Sequence, residues 1–149
     1  MNLTDDQILR EAIRLVETGV TITFPVNGRS MLPFIIGGKE SLVLTKPASI
    51  KVGDIVLAYV NGNRFVIHRV EKIKGDKVTL MGDGNLCFRE HCTLADVKAF
   101  ASHVVNESGI RRDLYTPGRR FAAKLWVLLR PFRKYLLFIY RKTHKGILQ

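Results

Sequence analysis

Ile55-Val56-Leu57-Ala58-Tyr59-Val60-Asn61-Gly62-Asn63-Arg64-Phe65-Val66-Ile67-His68-Arg69-Val70 is the stretch whose texture decides the fold. Two β-rich runs flank Asn61-Gly62-Asn63, and Asn and Gly tolerate the positive φ that a tight antiparallel turn demands. Working outward, 21–26, 41–45, 77–81, 97–106 and 110–114 have the same strand-like texture, and β character in the hairpin runs on to residue 73. Turn residues such as Lys74-Gly75-Asp76 and Glu107-Ser108-Gly109 separate them. Many short strands divided by such turns predict a mainly β domain, an antiparallel, barrel-like sheet.

Helical patterns bracket this region. Thr4 and Gln7 have the form of a capping box, and Asp5 and Asp6 favour the positive end of a helix dipole. Ile8, Leu9, Ala12, Ile13, Leu15 and Val16 recur at helical spacing until Gly19 stops the pattern, which predicts an amphipathic helix over 4–18. From Gly118 the periodicity is helical again. Phe121, Leu125, Leu128, Leu129, Phe132, Leu136 and Ile139 mark one face, with Arg120, Lys124, Arg130, Arg133, Lys134 and Arg141 opposite, and Pro131 splits or kinks the helix. The expected organisation is an N-terminal helix at 1–19, a β body at 20–117 and a basic helical tail at 118–149.

The net charge is +11, and it is unevenly placed. Eleven Lys or Arg and a single acid, Asp113, lie beyond residue 110, whereas 1–110 is nearly neutral. Such a split implies an anionic partner for the tail. Its aromatic and apolar content, with Trp126, Tyr135 and Tyr140, fits a helix lying on an anionic membrane surface, and equally a core-packing helix with a solvated basic face. Nucleic acid is not expected as a partner, since no nucleic-acid-binding signature is present. The chain opens on early acids rather than a basic, apolar leader, and no apolar run approaches a membrane span of about 18 residues. A cytoplasmic placement, peripheral to the membrane, is the expectation. Cys87 and Cys92 have no zinc-like spacing and read as free thiols, with a local disulfide between them as the alternative, and neither a metal nor another cofactor is expected.

Three sites carry candidate chemistry. Asn27-Gly28-Arg29-Ser30-Met31-Leu32-Pro33 sets a hydroxyl on a Gly- and Pro-bounded loop, which by itself describes a turn as well as a nucleophile. Strand alternation places His68 between Val66 and Val70 on one face, where an imidazole is either a hydrogen-bonded core residue or a base. Asp83, in Gly82-Asp83-Gly84-Asn85, reads alone as an ordinary Asp-Gly turn.

Taken together these segments resemble the clan of serine peptidases that includes signal peptidases and LexA-type proteins. Ser30-Met31-Leu32-Pro33 is similar to its Ser-Met-x-Pro signature, and Gly53-Asp54-Ile55-Val56 to its Gly-Asp-Ile-Val strand entry. Val66-Ile67-His68-Arg69-Val70 resembles the base-bearing segment of the archaeal and endoplasmic-reticulum enzymes, where His stands in place of the more usual Lys. Gly82-Asp83-Gly84-Asn85 is similar to the Gly-Asp-Asn-Asn box. The resemblance implies a coiled, signal-peptidase-type β catalytic domain with a groove in which a substrate peptide adds as a strand. It implies Ser30 as nucleophile, His68 as general base, and Asp83 as the residue that orients the ring or stabilises the imidazolium.

Gly28 stands where many signal peptidases carry a second hydroxyl, so the oxyanion would rely on backbone donors around Ser30. Met81 replaces the usual Lys of the last box, and a soluble amphipathic helix stands in place of a spanning anchor. The expected function is a serine endopeptidase that cleaves a dedicated leader or precursor peptide. A non-catalytic peptide-binding relative and a self-cleaving regulator of LexA type are the competing readings.

Overall fold

The computed structural model describes residues 5–27, 31–84 and 88–143. Helix α1 (Asp5–Glu17) lays Ala12, Ile13 and Val16 on the core and leaves Asp6–Arg10 and Glu11–Arg14 pairs in solvent. The expected cap residue, Thr4, lies outside the described residues. Gly19, at φ +94°, ends the element in a conformation a side chain would strain.

Eight strands follow: β1 (Ile22–Pro25), β2 (Ser41–Thr45), β3 (Ile55–Val60), β4 (Arg64–Lys74), β5 (Lys77–Met81), β6 (Glu90–Thr93), β7 (Val97–Val105) and β8 (Arg111–Asp113). All pair antiparallel in one curled half-barrel sheet of order β1-β2-β7-β3-β4-β5-β6, with β8 on β7. The hairpin expected at 61–63 is present: Asn61 and Gly62 both have positive φ, and Val60 pairs with Arg64. Strand β6 has no counterpart in the pattern reading, because Glu-His-Cys-Thr carries little β signal of its own.

Strand β3 lies in the middle of the sheet and is buried on both faces. Ile55 and Leu57 join Val16, Leu42 and Leu44 in the core beneath α1. Val56, Ala58 and Val60 join Val66, Val70 and Leu80 in a second core on the other face. Curling brings β6 back toward the β3–β4 turn, where the Asn61 amide donates to the His91 carbonyl at 3.2 Å.

The C-terminal segment forms α2 (Pro117–Leu128), a 3-10 turn (Arg130–Phe132) that contains Pro131, and α3 (Arg133–Thr143). Thr116 caps α2 by accepting the Arg119 amide, with Pro117 at the first helical position. Trp126 and Leu137 face inward and pack with Leu32, against which Phe34, Ile36 and Tyr140 also lie. Phe121, Leu125, Leu128, Phe132 and Ile139 of the anticipated apolar face are exposed, and only Leu136 of that row joins the docked edge.

Candidate active site

Strand β4 alternates buried Val66, His68 and Val70 with half-buried Ile67 and Arg69. Register carries the His68 face across the sheet: Val70 opposes Leu80 on β5, and Leu80 opposes Glu90 on β6. Cross-strand partners share a face, so Glu90 and His68 point into the same space although 22 positions separate them. The Glu90 Oε2 atom lies 2.8 Å from His68 Nδ1, with the two side chains 2% and 4% exposed. Arg64, at the start of β4, donates to Oε1 of the same carboxylate at 3.1 Å.

That arrangement selects a tautomer. A carboxylate accepting from the Arg64 guanidinium on one oxygen accepts from the ring on the other, so Nδ1 carries the proton and Nε2 is the basic atom. Burial is the largest influence on the imidazole and holds its pKa below the ordinary 6.5, while the Glu90 carboxylate acts in the opposite sense. The ring is therefore neutral near pH 7, as a general base requires.

His68 and Glu90 line a cleft of about 360 Å³ together with Val26, Asn27, Met31 and Phe88. Asn27 and Met31 are the described residues on either side of Ser30 in sequence. Ser30 itself lies outside the described residues, as do Gly28, Asn85 and Cys87. No lysine lines this cleft among the described residues.

Asp83 is placed differently. Both of its oxygens accept from Arg69, at 2.8 and 2.7 Å, in a bidentate pair. Arg69 follows His68 in β4 and so projects from the opposite face. Its guanidinium also donates to the Gly53 carbonyl and stacks over Phe34. The Asp83 carbonyl accepts the Trp126 indole N–H at 2.6 Å. Asp83 thus ties the Gly82–Gly84 turn to the Gly53 turn and to α2, and its charge reaches His68 only through space, favouring the imidazolium. Ring orientation falls to Glu90. Within Gly53-Asp54, Asp54 accepts the Lys51 amide and closes the turn into β3, and burial pushes its carboxyl up.

Glu90 is the buried partner of His68 that sequence reasoning misses. Its one signal is the alternation of Glu90 and Cys92 against His91 and Thr93, and a short strand bearing an inward acid looks like any polar loop. Cys92 is a free thiol whose pKa burial pushes up to about 11. Among the described residues no cluster of His, Cys, Asp or Glu could hold a metal ion.

Residues 3–104 match the family model described as Peptidase S24-like. The matched stretch includes Ser30, His68, Asp83 and Glu90 and ends before α2. No curated protein matches the chain.

Proposed function

The chain belongs to the Peptidase S24-like family, and from that premise we propose that it is a serine endopeptidase with Ser30 as nucleophile, His68 as base and Glu90 as the residue positioning His68. The observation that carries the proposal is the buried His68 held through Nδ1 by Glu90, in a cleft lined by Asn27 and Met31 on either side of residues 28–30. His68 Nε2 takes the Ser30 hydroxyl proton as Oγ bonds to a peptide carbonyl carbon. The imidazolium then protonates the leaving amine as the C–N bond breaks, and water delivered through the same ring hydrolyses the acyl-enzyme. Glu90 favours the cationic ring in both steps, and Asp83 supports the frame through Arg69.

The substrate we propose is a leader or precursor peptide bound in extended form along the open sheet. Fluorophosphonate labelling of the purified chain tests the reading. Label on Ser30, lost in His68→Ala, is the expected result; no label on the folded protein overturns it. Family membership also favours self-cleavage as a second reading. A chain that shortens on standing, and does so only with Ser30 intact, would assign that activity instead.

A further inference from the structure

We propose that the outward face of α2 and α3 docks on an anionic phospholipid surface. Phe121, Leu125 and Leu128 recur at spacings of four and three along α2, and Tyr135 and Ile139 four apart along α3, so each helix carries an apolar stripe, with Phe132 on the turn between them. Every one of them is exposed, Leu128 by 76%, and Phe138 of α3 by 66%. The inward faces of the same helices are already occupied, by Trp126 and Leu137 against Leu32. The stripes are therefore not core faces awaiting their domain. Exposed apolar surface of this kind marks an interaction site.

Charge identifies the occupant. Lys124, Lys134, Arg141 and Lys142 are exposed on the same two helices, and no Asp or Glu occurs anywhere from 114 to the end of the chain. A second copy would bring an equal positive charge against the first, so self-association works against this electrostatics. On α3, Lys134 and Arg141 line one notch of about 400 Å³ with Tyr135, Leu137 and Phe138. Cations set around an apolar recess fit a phospholipid, whose acyl region meets the rings while its phosphate meets the ammonium and guanidinium groups. Among the described residues no helix is long and apolar enough to cross a membrane, and the proposed contact is one that lies in the interface. The inference is independent of the peptidase reading.

Flotation of the full chain with phosphatidylglycerol–phosphatidylcholine vesicles, and with phosphatidylcholine alone, tests it. The protein is expected to float with the anionic vesicles and not with the neutral ones. Lys134→Gln and Arg141→Gln each weaken binding about fivefold, and added salt weakens it further without abolishing it. Leu128→Asp and Phe138→Asp abolish it while leaving the melting temperature in place, since both side chains touch solvent in the folded chain. Absence of the chain from the anionic vesicles overturns the proposal, as does binding that survives both Asp substitutions. A dimer in lipid-free solution that Phe138→Asp dissociates also overturns it, assigning the face to self-association. Because the salt titration uses the unaltered chain, a misfolded variant leaves the outcome decidable.

Discussion

At the scale of single residues, the His68 ring donates from Nδ1 to Glu90 and presents one basic nitrogen, so the pair behaves as a unit. Ser30→Ala and His68→Ala are each expected to lower peptide cleavage by about four orders of magnitude while the fold persists. Glu90→Gln is expected to lower kcat on the order of a hundredfold. It also moves the acidic limb of the pH–rate profile to lower pH, because the Glu90 charge is what opposes the burial-driven fall in the His68 pKa. A Glu90→Gln profile with an unmoved limb would remove Glu90 from the site. Asp83→Asn behaves otherwise. It leaves the Arg69 guanidinium short of its bidentate partner, so stability falls by about 3 kcal/mol by urea unfolding. The pH–rate limb shifts far less than in Glu90→Gln, since Asp83 meets His68 only through space.

Among the elements, α2 and α3 pack on the residues that follow Ser30 in sequence as well as facing their surroundings. Trp126 and Leu137 pack on Leu32, two positions after Ser30, and the Trp126 indole holds the Asp83 carbonyl. Arg133 caps this packing by stacking on Trp126 at 5.2 Å. Trp126→Ala should therefore cost about 3 kcal/mol in chemical unfolding and slow Ser30 labelling at the same time. Trp126→Phe keeps most of the apolar contact but drops the donor, so it should cost about 1 kcal/mol. Equal labelling rates in Trp126→Ala and the parent protein would show that the helices do not steady the loop. Removal of residues after Pro117 is expected to expose Leu32 and Ile36 and to impair the body as well as free it from lipid.

For the whole molecule, buried His68 couples folding to pH. Its folded pKa is depressed below 6.5, so the unfolded chain takes up a proton in acid that the native ring resists. The stability this contributes is fully present above about pH 6.5 and is lost as pH falls through the depressed folded value. Thermal melting of His68→Gln should accordingly show a shallower decline below pH 6.5 than the parent protein. Parallel curves would mean that His68 titrates alike in the folded and unfolded chains. At this scale the sheet itself decides what meets: the curl that closes β6 toward β3 joins Glu90 to His68, whereas the strand alternation of β4 sends Arg69 to Asp83.

Local pattern determined α1, the β3–β4 hairpin, the break at Pro131 and the mainly β class, because each rests on periodicity or on turn residues within a few positions. It determined too that His68 sits on the apolar face of its strand, since alternation is a property of the strand alone. Tertiary structure decided the rest. Glu90 became the partner of His68 through register across three strands and the curl of the sheet, and no spacing along the chain encodes either. Which face of the tail is covered was likewise settled by docking. Both faces of α2 and α3 carry large apolar residues, and only the fit of Trp126 and Leu137 against Leu32 chooses between them.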